Sequence, residues 1–205
     1  PVERPAVVPT PQDGKTEWFV YKNVAYEDII PQFVERIGKP LIGPDAMPTG
    51  TLTYENPRLP QGLLLCGVRT RTPAWVKFAR EAFEFLAQTT FAETGYFNPV
   101  GTEGWYVRGR TRAVFDQQPV CAGATVEAFL DAWQAFDQYK PFLQYAERAL
   151  MWYHGDNINQ IALYDPETGV VYDGLNALGV NLNRGAESVL SYLLARIKWE
   201  LYTQG

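Results

Sequence analysis

Five segments with helical spacing of apolar residues alternate with connections of two different lengths, and this alternation constrains the fold more than any other feature of the chain. The predicted helices span residues 57–68, 73–88, 118–136, 141–154 and 185–199. Short connections join the first helix to the second and the third to the fourth, which makes each pair antiparallel neighbours. We therefore expect an all-α fold of antiparallel helical hairpins whose long loops emerge at one end.

Prolines mark the starts of the helices. Asn56 and Pro57 are expected to be the N-cap and the first helical residue of the first helix, and Pro119 and Pro141 open two later ones. The first helix carries leucines and a cysteine on nearly every side, so we expect it to be buried all round. The helix from Pro73 is amphipathic and should face water on one side.

Composition limits the classes of protein that the chain can belong to. Its 205 residues, 46% of them hydrophobic, suffice for one domain with a sizeable core. A net charge of −5 without a basic stripe argues against a nucleic-acid partner. No run of about 18 apolar residues is present, and no signal peptide is visible, so we expect a cytoplasmic protein without a membrane span.

The few metal-ligating and thiol side chains predict neither a metal site nor a cofactor. The chain has one histidine, His154, and two cysteines, Cys66 and Cys121, far apart in sequence. Both cysteines lie in apolar helical segments, where we expect buried thiols, with a disulfide between them as the alternative.

Residues 1–50 differ in character from the rest of the chain. The first 14 residues are proline-rich and should be extended, while residues 17–23 and 27–37 could form a strand and a broken helix. We interpret residues 1–50 as an extended N-terminal segment and residues 51–205 as the helical-hairpin domain.

The longest polar stretch, Gly95–Pro119, combines glycines, aromatic residues and charges without helical or strand periodicity. Long loops in compact domains commonly carry function, and five aromatic residues argue against disorder here. Because the inner helices of the hairpins should begin at the same end, we expect this loop to meet Tyr54–Arg58 and Asp173–Glu187 on one face.

Several stretches in this order resemble the C-terminal helical region found behind glycosyltransferase-type catalytic domains of bacteria. They read GYFNPVGTEGWYVRG, FDQQP before an acidic helix, LYDPETG, YDGL and NLNRGAESVLSYLLA, with TLTYENPRLP upstream. That region is similar in turn to the six-hairpin (α/α) toroid glycosidases and epimerases. The resemblance covers roughly residues 50–200 and implies a toroid, or its second half, with a sugar-binding pit at the N-termini of the inner helices.

Sugar chemistry without a metal uses an acid and a base, usually two carboxylates about 5 to 10 Å apart. The candidate catalytic residues are Glu103, Asp116 and Glu187. A helix N-terminus should keep Asp116 ionised, whereas desolvation should raise the pKa of Glu103. Alternatively, Asp116 is an N-cap, Glu103 is solvated, and Glu187 closes a capping box with an upstream asparagine.

Other loop residues are expected to bind the substrate, as aromatic platforms or polar contacts. They are Tyr54, Glu55, Arg58, Trp105, Tyr106, Arg108, Gln117, Tyr172, Asp173, Asn181 and Asn183. The two asparagines could instead stitch the loop together. The arginines, with Arg110, Arg112 and Arg184, could bind a phosphate or carboxylate on a sugar, or neutralise nearby acids in a structural network.

Taken together, these features predict a carbohydrate-active domain, glycoside hydrolase-like or sugar-modifying, whose ligand is a carbohydrate or a sugar phosphate. The alternative is a non-catalytic sugar-binding or scaffold module that packs on a catalytic partner. An open half-ring would expose an apolar flank, which a protein partner or a second copy completing the ring would cover.

Overall fold

The computed structural model describes residues 51–91 and 95–204, and the predictions for residues 1–50 lie outside this part. The described residues are mostly helical, which confirms the all-α class. Five α-helices run in the order α1 (Arg58–Arg69), α2 (Pro73–Phe91), α3 (Pro119–Ala135), α4 (Lys140–Met151) and α5 (Ala186–Thr203). A 3-10 turn, Trp152–His154, extends α4. Each helix begins within one residue of its predicted start.

Two small antiparallel sheets connect the loops. Strand β1 (Thr51–Leu52) pairs with β2 (Tyr106–Val107), which joins the segment before α1 to the loop before α3. Strands β3 (Gly174–Asn176) and β4 (Gly179–Asn181) form a hairpin before α5. A further bridge between Gln117 and Leu175 joins that hairpin to the loop before α3.

Helix α3 lies at the centre and packs against the other four helices. Its early turns consist of small residues, so neighbours can approach closely: a Cβ on Gly123 would lie 2.8 Å from the carbonyl oxygen of Ser191 in α5. Eight residues further along α3, the ammonium of Lys198 lies 2.7 Å from Oδ1 of Asp131. The two contacts follow the same order along both helices, so α3 and α5 run in the same direction.

Helix α1 also runs parallel to α3. Arg58 at the start of α1 contacts Glu127 at 2.7 Å, and one turn later the amide of Gln61 donates to Asp131 at 2.7 Å. The helices α1, α3 and α5 are therefore parallel, as expected for the inner helices of successive hairpins.

Aromatic side chains hold α2, α3 and α4 together. The rings of Phe83, Phe129 and Phe142 form a triangle with centroid separations of 5.2, 5.6 and 5.9 Å. All three are fully buried, and the tilted and edge-on arrangements are those that aromatic pairs prefer.

Helix α1 differs from its prediction in two respects. It is not buried all round, because it packs mainly on α2 and α3 and leaves Leu65 and Val68 about half exposed. Its N-cap is Pro57 rather than Asn56, whose side-chain amide donates instead to the carbonyl of Thr53 at 2.7 Å. A run of leucines shows that a helix is apolar but does not show how many neighbours surround it.

The two cysteines are free thiols rather than a disulfide. Cys121, in the first turn of α3, is buried as predicted, whereas Cys66 in α1 is only partly buried.

Candidate functional site

The long loop before α3 folds back on itself. The backbone N–H of Gly101 donates to the carbonyl of Ala113 at 2.9 Å, Glu103 donates to Phe115 at 3.0 Å, and Ala113 donates to Trp105 at 2.9 Å. A Cβ on Gly101 would lie 2.2 Å from the Phe115 carbonyl oxygen, so the close approach of the two arms requires glycine here. This fold-back places Glu103 and Trp105 on one arm of the loop, opposite the residues of the other arm that lead to Asp116.

Asp116 carries the most unusual carboxyl group of the site. Its Oδ1 is enclosed and has no hydrogen-bond partner among the described residues. Burial raises the pKa of Asp116, and the negative charge of Glu103 raises it further. A helix N-terminus was expected to keep Asp116 ionised, whereas burial and the charge of Glu103 shift its pKa upwards and make the ionised form less favourable than in an ordinary aspartate.

The alternative role of Asp116 as an N-cap is also contradicted. The N-cap of α3 is Gln118, with extended backbone geometry, and Pro119 follows as the first helical residue. Asp116 lies two residues before this N-cap, too early to bond the free N–H groups of the first turn.

Glu103 and Asp116 have different environments. Glu103 is exposed, so the burial that was expected at Glu103 is found at Asp116 instead. Two carboxyl groups within electrostatic range, one solvated and one enclosed, form the kind of pair in which acid and base roles are separated.

Two aromatic side chains from different segments meet beside this pair. The rings of Tyr54 and Trp105 have centroids 5.6 Å apart at an interplanar angle of 42°. Tyr54 is 55% exposed and Trp105 is half-buried, so part of this surface faces solvent. Tyr106, also predicted as a platform, pairs with Leu52 in the small sheet and is half-buried.

Gln117 does not have the substrate-binding role predicted for it. It is fully buried, and its side-chain amide donates to Oδ1 of Asn98 at 2.7 Å and to the carbonyl of Val114 at 2.9 Å. Its Oε1 accepts from the indole N–H of Trp152 at 2.9 Å. With its amide hydrogen bonds made inside the protein, Gln117 fixes the backbone next to Asp116.

Asp173 stabilises the start of α5. Its Oδ1 accepts hydrogen bonds from the backbone N–H of Gly185 and the hydroxyl of Ser188, both at 2.6 Å. The N-cap residue is Gly185, which has no side chain, so the capping box expected between Glu187 and an asparagine does not form. Asp173 therefore caps the helix from a loop position 12 residues before Gly185. This structural role explains the presence of Asp173 without a bound ligand.

Glu187 is exposed in the first turn of α5, and Glu55 lies in the turn before α1. Burial raises the pKa of the Cys121 thiol to about 11, and the charges of both glutamates contribute to the rise. Both acids therefore lie near the first turn of α3. Together with the strand pairings, this proximity shows that the three loop segments meet at one end of α3.

The remaining predicted residues have local partners. Oδ1 of Asn181 accepts from the backbone N–H of Asn183 at 3.1 Å, and the Asn183 carbonyl accepts from the N–H of Asp173 at 3.0 Å. The stitching role of the asparagines is thus observed. The half-buried ring of Tyr172 lies under the guanidinium of Arg184, 5.3 Å from centroid to carbon.

The arginines do not gather into one anion site. Arg58 pairs with Glu127 and lies 3.6 Å from Glu55, so its role is at least partly structural. Arg108 lies over the ring of Phe85 in α2 at 5.4 Å. Arg112 donates to the backbone carbonyls of Thr89 and Asn98. Arg58 thus reaches α3, whereas Arg108 and Arg112 both reach α2.

No protein-family model matches the chain, and a search of curated proteins finds no match either. Within residues 51–91 and 95–204, no three potential metal-ligating side chains come together. No helix of that part is long and apolar enough to cross a membrane. The fold and the site define a mostly helical domain with an acidic, aromatic loop surface at one end of its central helix.

Proposed function

We propose that this loop surface is the active site of a carbohydrate-active domain, in which Asp116 acts as the acid and Glu103 as its partner carboxylate. The observation that carries the proposal is the enclosed, unpartnered Oδ1 of Asp116 beside the exposed Glu103. An enclosed carboxyl of raised pKa holds a proton more readily than an ordinary aspartate, so it can donate that proton to a glycosidic oxygen.

Glu103 would complete the reaction from the other side of the scissile bond. A carboxylate there serves as nucleophile when the two carboxyl groups are about 5 to 5.5 Å apart, and as base for a water molecule at larger separations. Its exposure leaves it accessible to both sugar and water. Glu187 and Glu55 lie at the same end of α3, near Cys121, and would add to the negative charge of this loop surface.

The aromatic pair supports a sugar ligand specifically. Tyr54 and Trp105 come from segments about 50 residues apart, yet their ring centroids lie 5.6 Å apart, and Trp105 follows Glu103 by two residues. Partly exposed aromatic faces suit the apolar C–H faces of a sugar ring. The stretches that resemble toroid glycosidases include Tyr54, Trp105 and Glu187, and these residues belong to the loops that meet here.

Variants that keep the shape of each carboxyl test the proposal. Asp116→Asn and Glu103→Gln should each lower turnover by about 10²- to 10⁴-fold on whichever member of a glycoside and oligosaccharide panel the wild type cleaves or modifies. Glu167→Gln, an exposed glutamate in a distant turn, is the matched control and should retain full activity. Wild-type turnover in both Asp116→Asn and Glu103→Gln would remove the assignment.

A second candidate, a module that packs on a partner, is favoured by the exposed surface of α5. Five large apolar side chains along this helix are between 44% and 70% exposed, namely Leu190, Leu193, Leu194, Ile197 and Leu201. Their spacing places them in one stripe, and a patch of this kind commonly marks a protein interface. Light scattering with wild type and Leu194→Glu would detect self-association through the stripe, and a wild-type monomer with glycan-processing activity would contradict an obligatory scaffold role.

A further inference from the structure

We propose that the site selects sugars that carry a methyl-sized apolar substituent, such as a 6-deoxy or an N-acetyl sugar. This inference rests on the proposed carbohydrate function. It is based on a small pocket beneath the segment Leu52–Pro57, between α2 and α3, which contains neither Glu103 nor Asp116.

The pocket offers an occupant apolar contacts. Its walls include the side chains of Leu86, Phe97, Val100 and Phe129, which are buried and part of the core. A hydroxyl group placed between these walls would lose its hydrogen bonds to water, which costs free energy. An apolar group in the same place would gain free energy by leaving water.

The polar side chains that α2 and α3 contribute to the wall are already satisfied within the protein or neutral, whereas Thr53, Glu55 and Asn56 belong to the part of the wall before α1. The hydroxyl of Thr90 donates to the carbonyl of Leu86 at 2.8 Å, and that of Thr125 donates to Cys121 at 2.7 Å. The Cys121 thiol, with a pKa of about 11, is neutral at physiological pH. These groups therefore do not favour a polar occupant over an apolar one.

The size of the pocket limits the occupant. Its volume is about 30 Å³. An apolar cavity that takes benzene measures roughly 150 Å³. The pocket therefore has room for a group of methyl size and cannot hold a sugar ring or an aromatic aglycone.

The position of the pocket connects it to the proposed site. Thr53 and Glu55 belong to its wall, and Tyr54 between them carries one of the two rings of the aromatic platform. Glu55 and Cys121, both in the wall, also lie at the end of α3 where the acids gather. The segment Leu52–Pro57 therefore contributes both to the wall of the pocket and, through Tyr54, to the aromatic platform.

Matched sugar pairs test the inference. Dissociation constants for L-fucose against L-galactose, and for N-acetylglucosamine against glucose, are measured by NMR titration of the wild-type chain. Burial of one methyl group should make the methyl-bearing member of at least one pair bind about three- to tenfold more tightly. Methane, which has the size of the proposed methyl group, should weaken binding of that member and leave its partner unaffected.

A filling variant provides the second readout. Val100→Leu adds one carbon to the wall and should abolish the preference while the unsubstituted sugar still binds. Thr90→Val, which keeps the shape of the wall, should retain the preference. If Val100→Leu fails to fold, the methane competition in the wild type decides.

The outcomes separate this inference from the function on which it rests. Equal binding within both pairs, or a preference that neither methane nor Val100→Leu changes, would overturn the pocket assignment and leave the sugar site standing. Absence of binding by any sugar, with methane still entering the pocket, would overturn both.

Discussion

The indole N–H of Trp152 donates a hydrogen bond of 2.9 Å to Oε1 of Gln117, and both side chains are fully buried. The amide of Gln117 donates at the same time to Asn98 and Val114. The residue that follows Asp116 is thus fixed by three hydrogen bonds, so the position of the Asp116 carboxyl is set by the protein core rather than by a mobile loop.

Replacing Gln117 by leucine should destabilise the domain. Gln117→Leu leaves the indole N–H of Trp152 and the side-chain Oδ1 of Asn98 buried without this partner. Each such group costs about 1–3 kcal/mol. We expect a loss of about 2–4 kcal/mol in the free energy of unfolding, measured by urea denaturation. Gln118→Leu, at the neighbouring half-buried position, is the control and should cost less than about 0.5 kcal/mol. Equal costs at the two positions would contradict this role of Gln117.

Removing the distant cap of α5 should also lower stability. Asp173→Ala eliminates the hydrogen bonds to Gly185 and Ser188, and we expect a cost of about 1–2 kcal/mol, as for other N-cap losses. Ser188→Ala removes one of the two bonds and should cost less. In the double variant the two costs should fall short of their sum, because both mutations remove the same bond. Strict additivity in a double-mutant cycle would show that Asp173 and Ser188 act independently.

Two helical glycines should respond in opposite directions to alanine. Gly123→Ala places a Cβ 2.8 Å from the Ser191 carbonyl, so α3 and α5 must separate, at a cost of about 1–3 kcal/mol. At Gly62 in α1, no described atom lies within 4 Å of the added Cβ, and alanine should stabilise the helix by about 0.5–1 kcal/mol. Thermal unfolding measures both, and a stabilising effect of Gly123→Ala would refute the close contact between α3 and α5.

The enclosed carboxyl of Asp116 should reduce stability at neutral pH. Its pKa is raised in the folded state, so folding disfavours the ionised form; this penalty is full above the folded pKa and vanishes below the ordinary value of 3.8. Asp116→Asn should therefore raise the melting temperature at pH 7 by roughly 1–3 °C, with the difference disappearing as the pH falls below 3.8.

Asp165 is the control of opposite sign. The hydroxyl of Thr168 lowers the pKa of Asp165, so this carboxylate stabilises the fold above pH 3.8 and loses that effect as the pH falls through the lowered value. Asp165→Asn should lower the melting temperature at pH 7. A decrease for Asp116→Asn as well would contradict the assignment of an unfavourable buried charge at Asp116.

Local sequence signals were sufficient to place the helices. Proline at residues 73 and 119, with apolar side chains at helical spacing after each, fixed the starts of α2 and α3 within one residue. The short and long connections predicted which helices run parallel. These signals act over a few residues, so they can be interpreted without knowledge of the tertiary structure.

The environment of individual side chains could not be predicted in this way. The sequence around Glu103 suggested a desolvated acid, but it is Oδ1 of Asp116 that is enclosed in the folded protein, while Glu103 is exposed. Gln117 looked like a loop residue available to a ligand, yet its partners Asn98 and Trp152 are 19 and 35 residues away. Such contacts depend on how separate segments meet, which periodicity and spacing do not specify.

The titration of the Asp116 carboxyl, followed by carbon-13 NMR in the wild type and in Glu103→Gln, tests the proposed acid and its partner most directly. We expect a pKa above 3.8 in the wild type and a lower value in Glu103→Gln, still above 3.8 because the burial of Asp116 remains. A wild-type pKa at or below 3.8, or no change in Glu103→Gln, would contradict the pairing of these two carboxyl groups.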